Sequence, residues 1–204
     1  MMSLPHRFGT ALASIPGATP YLKAPPSRVA RGKGRLPGGK TKVGLVWAGD
    51  PRPDQPAISA IDRQRSLDAR AYLPLLGVLG IVFVSLQKGA SAQPQIETLP
   101  PELRPFDPMH DVHDFADRAA IIEQLDVVIT VDTSIAHLAG AFDKPVWILS
   151  RYDGCWRWLH DRDDTPWYPN ARLFHQTQPG EWSEVIERAR LALEEWPTRQ
   201  RTPA

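Results

Sequence analysis

Val127-Val128-Ile129-Thr130-Val131-Asp132-Thr133-Ser134-Ile135-Ala136-His137-Leu138-Ala139-Gly140-Ala141 reads as a buried-type strand running straight into a helix, with polar residues at the junction. Junctions of this kind are where α/β sheets bind phosphate. The apolar run is short and β-branched, which suits a parallel strand covered on both faces, and Ala136, Ala139, Gly140 and Ala141 let a helix pack closely on that sheet. Asp132 and Thr133 fall at the turn. Thr133 is a candidate N-cap, and the free backbone N–H groups and positive dipole end behind it favour a diphosphate. His137 follows Thr133 by four residues, a spacing that predicts both side chains at the same mouth. A plainer reading exists, in which Thr133 only caps the helix and His137 is a partly buried, hydrogen-bonded histidine. The rest of the chain has to decide between them.

Working outward from this junction, strands alternate with helices. Strands are expected at Val43 to Trp47, Ile81 to Leu86, Val127 to Val131, Val146 to Leu149 and Ala171 to His175, with a short one near Arg104 to Phe106. Helices are expected at about Asp68 to Leu76, Asp114 to Glu123, Ser134 to Phe142 and Glu181 to Glu195. This alternation predicts an α/β fold, a single Rossmann-like, doubly wound parallel sheet. The last helix carries Trp182, Val185, Ile186, Ala189 and Leu193 on one stripe, so it should pack on the sheet. Residues 1–41 hold many of the chain's 21 prolines and a cluster of Arg and Lys with no sustained period, and are expected to be an extended leader and linker. The Rossmann-like domain is expected over 42–196 and a disordered tail over 197–204.

The 204 residues suffice for one well-buried core. A net charge of +1 offers no global field for nucleic acid or an anionic membrane, so no nucleic-acid partner is expected. The sequence has no run of the ~18 apolar residues that a membrane span needs and no hydrophobic signal core at its start, which predicts a cytoplasmic protein. The single cysteine, Cys155, excludes an internal disulfide and reads as a small packing residue.

Gly34-Arg35-Leu36-Pro37-Gly38-Gly39-Lys40-Thr41 matches the P-loop pattern, but a basic, Pro-rich segment precedes it and a strand follows, so no helix dipole points at the loop. A nicotinamide or flavin fingerprint is also missing, because Gly44-Leu45-Val46-Trp47-Ala48-Gly49 lacks the required glycine spacing. Neither His110-Asp111-Val112-His113-Asp114 nor Asp161-Arg162-Asp163-Asp164 makes a metal site; Asp114 reads as an N-cap and the second run as solvated charge. Trp156, Trp158, Trp167 and Tyr168 lie in an aromatic loop that suits stacking on a base or sugar and equally suits filling the edge of the core.

The phosphate-binding reading gains from the other strand ends. The long loop Ala48-Gly49-Asp50-Pro51 leads to Asp62-Arg63-Gln64-Arg65-Ser66 at the entrance of the next helix, and the second strand ends in Ser85-Leu86-Gln87-Lys88-Gly89. Three strand ends thus converge on one crevice, at the edge where open α/β sheets take ligands. Arg63, Arg65 and Lys88 are each ordinary surface charges taken singly; with the Asp132-Thr133-Ser134 turn they outline an anion site.

Taken in order, Val43-Gly44-Leu45-Val46-Trp47-Ala48-Gly49, Arg65-Ser66, Ser85-Leu86-Gln87-Lys88-Gly89, Asp114-Phe115-Ala116-Asp117, Val131-Asp132-Thr133-Ser134 with His137-Leu138-Ala139-Gly140, Lys144-Pro145-Val146-Trp147 and Trp156-Arg157-Trp158-Leu159 resemble the C-terminal, donor-binding half of bacterial glycosyltransferases of the GT-B fold. The likeness is greatest to the glycosyltransferase domains attached to tetratricopeptide repeats, which are similar to the lipopolysaccharide heptosyltransferases of family nine. It implies a substrate-binding set of Trp47, Gly49, Arg65, Ser66, Gln87, Lys88, Asp132, Thr133, Ser134 and His137. The Asp132-Thr133-Ser134 turn and His137 would hold the diphosphate and donor sugar, with Asp132 accepting from sugar hydroxyls and Arg65 and Lys88 neutralising the leaving nucleotide. A nucleotide-diphosphate sugar is then the donor substrate, with no metal and no further cofactor.

The resemblance also implies a second Rossmann-like domain carrying the acceptor site and general base. The opening from Ser3 to Leu22 is similar to the tail of such a domain followed by the interdomain linker, and no residue reads as a general base. The expectation is therefore a donor-binding half that transfers a sugar only when a separate polypeptide supplies the other half. The alternative is a non-catalytic, truncated or regulatory module that binds nucleotide and transfers nothing.

Overall fold

A computed structural model of the chain describes residues 4–38 and 40–199. In chain order its elements are α1 (Leu4–Arg7), α2 (Pro26–Gly32), β1 (Thr41–Val46), α3 (Pro56–Arg65), α4 (Leu73–Leu76), β2 (Ile81–Ser85), α5 (Phe115–Ile122), β3 (Val127–Val131), α6 (Ser134–Ala141), β4 (Val146–Ser150), β5 (Ala171–His175) and α7 (Ser183–Arg199), with short 3-10 turns between them. All strand pairings are parallel and the order is β2-β1-β3-β4-β5.

Strand alternation divides the core into two layers. Val43, Leu45, Ile129, Val131, Trp147 and Phe174 point to one face, where Tyr72 and Leu75 of the α4 region and Val185, Ile186, Ala189 and Leu193 of α7 cover them. Val46, Val84, Val128, Ile148 and Leu173 point to the other, against Ile121 and Ile122 of α5 and Ile135, Ala136 and Ala139 of α6. Each such large side chain removed from water contributes about 1.5–3 kcal/mol before entropy is charged against it. Gly44 belongs to the second face by register, pairing with Val84 and Val128. A Cβ there would lie 2.6 Å from Leu125 Cδ1 and 2.9 Å from Leu86 Cδ1, so any side chain would have to push both leucines aside in the crowded centre of the sheet.

Several elements differ from the sequence reading. The loop expected after β1 contains the helix α3, with Pro56 at its first position. Prolines 51, 53 and 56 suggest an irregular loop, but a proline in the first helical turn loses no hydrogen bond and pre-sets φ. Asp62 to Ser66 consequently close a helix rather than open one. The helix expected at Asp68 to Leu76 is a 3-10 turn, Ala69–Tyr72, followed by α4. Near Arg104 to Phe106 a single parallel bridge, Phe106 to Val84, replaces the expected strand. Within the expected leader, α2 is helical and packs on α5 through Arg28 and Arg31, whose guanidiniums both meet Asp117 Oδ1 at 2.6 Å. The α7 helix runs to Arg199, into the span expected as a disordered tail, and the remainder of that expectation, 200–204, lies outside the described residues.

Candidate functional site

In the strand order, β1 lies between β2 and β3, so chain connections leave β1 in one direction and β3 in the other. That reversal opens a crevice at the carboxyl ends of the strands. A cavity of about 500 Å³ lies there, floored by Val46, Ala48 and Gly49 after β1, by Leu86 to Gly89 after β2, and by Thr133, Ser134 and Ile135 at the start of α6. Its walls are Ile58, Ile61 and Arg65 of α3, Asp50 and Arg52 of the preceding loop, and Arg118 of α5. Of the residues expected from sequence, Gly49, Arg65, Gln87, Lys88, Thr133 and Ser134 line this cavity. Trp47, Ser66, Asp132 and His137 do not.

At the floor, the ends of β1 and β2 are tied together by the Gln87 amide. Gln87 is 1 % exposed. Its Oε1 accepts from the N–H groups of Trp47 (3.0 Å) and Ala48 (2.9 Å), and its Nε2 donates to the carbonyls of Ala48 (3.0 Å) and Lys88 (2.9 Å). All four valences of the amide tie the ends of β1 and β2 together, so Gln87 shapes the crevice and has no donor left for a ligand. Trp47 turns its indole into the core, edge-on to Tyr72 at 6.4 Å, because alternation places it on the α4 face.

A second network joins α3 to the other strand ends. Asp62, 4 % exposed, accepts from Arg65 Nε (3.0 Å) and Nη2 (2.9 Å) with one oxygen and from Ser66 Oγ (3.1 Å) with the other. Arg65 Nη1 donates to the carbonyl of Asp132 at 2.7 Å, and the Gly49 N–H donates to Ser66 Oγ at 2.9 Å. A Cβ on Gly49 would lie 2.1 Å from Asp62 Oδ1 and 2.6 Å from Arg65 Nη2. The role expected for Arg65, neutralising a phosphate, therefore meets a guanidinium that already has a buried carboxylate partner. Its geometry is that of a strut between α3 and the β3–α6 turn. Asp62 had no place in the sequence-derived site, since its pairing with Arg65 is visible only once both lie on one helix.

Thr133 caps α6. Its backbone is extended (φ −130°, ψ 174°) and its Oγ1 accepts from the Ile135 N–H at 3.3 Å. Thr130 Oγ1 donates to the Val131 carbonyl, so Thr133 donates in turn to Thr130 Oγ1 at 3.1 Å. Ser134 is exposed at the first helical position, on the cavity wall. Lys88 Nζ donates to the carbonyls of Met109 (3.1 Å) and Val112, which leaves it one free N–H.

His137 does not share that mouth. The i, i+4 rule relates residues that both have helical backbone, and the cap residue Thr133 does not. His137 stacks on Trp158 (5.1 Å, 17°), and its Nδ1 lies 3.0 Å from Tyr168 Oη. Gly140 makes room for this arrangement: a Cβ there would lie 2.4 Å from the Tyr168 ring. Burial pulls the His137 pKa down, and Arg157 adds to the fall against a smaller opposing pull from Asp132, so the ring is neutral at pH 7. Of the aromatic loop, Trp158 and Tyr168 are core residues, and the half-buried Cys155 packs at the edge of the same cluster.

The basic side chain that sequence reading missed is Arg118. It lines the cavity from α5, and its guanidinium lies 5.7 Å from the centre of the Phe115 ring. The two runs weighed as metal motifs are otherwise engaged: Asp114 caps α5 by accepting from the Asp117 N–H at 2.8 Å, and Arg162 pairs with Asp164. Among the described residues no group of three or more His, Cys, Asp or Glu side chains converges as a metal site, and no helix is long and apolar enough to cross a membrane.

No protein-family model matches the chain. Protein FlbA of Caulobacter vibrioides is 30 % identical over 200 residues, an alignment covering 95 % of this chain and 32 % of FlbA. The chain thus spans about a third of the length of that curated relative. Among solved structures, the ADP-heptose lipopolysaccharide heptosyltransferase II of Escherichia coli superposes with a TM-score of 0.54 at 15 % identity, over 87 % of this chain and 55 % of the enzyme. The fold is therefore glycosyltransferase-like: one five-stranded parallel sheet corresponding to a Rossmann-like half of such an enzyme.

Proposed function

We propose that this chain is the nucleotide-sugar-binding half of a glycosyltransferase, with residues 42–196 as the binding domain. The observation that carries this reading is the 500 Å³ cavity at the sheet's reversal point, lined by both the start of α6 and Lys88. The donor's diphosphate would lie against Ser134 and Lys88, and its nucleoside between Ile58 and Ile61 of α3 and the β2 end. Asp132 and His137 do not line the cavity; in this reading the Asp132 carboxylate accepts from sugar hydroxyls, and His137, its Nδ1 engaged by Tyr168, keeps Nε2 for the donor.

In the transfer, an acceptor oxygen forms a bond to the anomeric carbon as the bond from that carbon to the phosphate oxygen breaks, and the electron pair leaves with the nucleoside diphosphate. Negative charge grows on the leaving phosphate, so groups around the α6 start bind the transition state more strongly than the ground state. In this reading they supply the positive potential without a metal. In this reading the general base and the acceptor site belong to a second Rossmann-like half, and transfer takes place in the cytoplasm. The likeness to glycosyltransferase domains attached to tetratricopeptide repeats is part of the same proposal, as is a sugar nucleotide of the kind named for the Escherichia coli enzyme.

Calorimetric titration with UDP, GDP, ADP and their sugar conjugates, with and without EDTA, tests the reading. Saturable binding unaffected by EDTA is expected. Asp132→Ala should weaken the sugar nucleotide more than the free diphosphate, whereas equal losses would remove its sugar role. A folded chain that binds none of them would overturn the proposal.

A further inference from the structure

Four basic side chains line the crevice, and they differ in what already holds them. Arg52 Nε faces Asp50 at 3.5 Å, and Arg65 is bound by Asp62 at 2.9 Å. Lys88 donates only to carbonyl oxygens, which carry no net charge. Arg118 has no ion pair or guanidinium hydrogen bond among the described residues; its guanidinium lies over the face of Phe115. The residue is half-buried, and burial lowers its pKa, as befits a cation partly stripped of water with no counter-charge supplied. Its five N–H donors in a planar fork thus have no protein acceptor among the described residues and are open to a ligand.

We propose that Arg118 is a ligand-binding residue of this crevice, and that Lys88 and Arg118, the two lining cations without a carboxylate partner, together clamp the diphosphate of the bound nucleotide, leaving Arg65 as a positioning residue. The inference rests on the donor-binding reading above and deepens it. A diphosphate diester carries two negative charges, which two uncompensated cations match. The fork of an arginine takes two phosphate oxygens at once, while the lysine acts as a point charge. The two come from different elements, the end of β2 and the first turns of α5, so the anion would bridge them above the start of α6. The Phe115 ring behind the guanidinium favours the cation without neutralising it.

Isothermal titration with ADP, UDP and GDP, and with the uncharged nucleosides, at low and high salt separates the possibilities for the intact chain and for Arg118→Gln and Arg118→Lys. Arg118→Gln should bind the preferred nucleoside diphosphate about tenfold more weakly, with a shallower salt dependence, and should leave nucleoside binding alone. Arg118→Lys should recover part of the loss, and its melting temperature, with that of Arg118→Gln, shows that the fold is retained. Unchanged diphosphate affinity and salt dependence in Arg118→Gln would overturn the assignment while leaving the donor-binding reading in place. Failure of the intact chain to bind any nucleoside diphosphate would remove both.

Discussion

Two regions of this molecule gather arginines, and they use them in opposite ways. Where α2 lies on α5, Arg28 and Arg31 converge on Asp117, which is 7 % exposed, while Arg28 also reaches Asp114 and Arg35 reaches Asp111. That region has its own cavity of about 390 Å³, lined by the same arginines, yet every one of them is paired. In the crevice at the strand ends, Arg65 is paired, but Lys88 and Arg118 are not. Charge density alone therefore does not mark a binding site. The balance between cations and their protein partners does, because an arginine that has spent its donors on a carboxylate gains little by exchanging it for a phosphate.

The contrast can be broken most forcefully at Asp117. Asp117→Ala strands Arg31, leaves Arg28 only its weaker pair with Asp114, and removes the acceptor of the His113 N–H. Allowing for the solvated ends of both arginines, it should cost about 2–3 kcal/mol of stability. That corresponds to a fall of about 4–12 °C in Tm for a chain of this size, with nucleotide affinity unchanged in the folded protein. A loss of affinity at constant stability would assign the ligand to the α2–α5 cavity instead. Next in size is Gly49→Ala, whose Cβ collides with Asp62 and Arg65. It should cost about 1–3 kcal/mol and weaken ligand binding as well, because the strut behind the crevice shifts. Stability loss without any change in affinity would show that Arg65 does not position the site.

The smallest expected effect is in the acid limb of stability. Burial pushes the Asp117 carboxyl up, but the His113 N–H and the Arg28 and Arg31 guanidiniums together outweigh it and hold the pKa below the usual carboxylate value. A depressed pKa stabilises the fold fully above the unfolded value near 3.9, and that contribution is lost as pH falls through the folded pKa. Denaturant titrations at several pH values below about 4 should therefore show a shallower decline for Asp117→Asn than for the native chain. Parallel declines would deny the pair its role.

Much of this was readable in advance, and the failures have specific causes. The strands Val127–Val131 and Ala171–His175 match the sequence reading, the first because a short β-branched run bounded by turns fits little else. The convergence of three strand ends followed from the alternation of elements. The α3 helix was missed because three prolines look like punctuation, and with it went the i, i+3 spacing of Asp62 and Arg65 that foretells their pairing. His137 was misplaced because its partner in the spacing is a cap residue, not a helical one. Arg118 left no local signal at all. That it faces the crevice without a counter-ion depends on where α5 crosses the sheet, which only the tertiary structure shows.

The most direct test follows backbone amide shifts of the labelled chain during titration with ADP, UDP and GDP. The largest shifts are expected at Gly49, Lys88, Gly89, Arg118 and Ser134, around the crevice. Shifts gathered at Arg28, Arg31 and Gln124, around the α2–α5 cavity, or no shifts at saturating nucleotide, would contradict it.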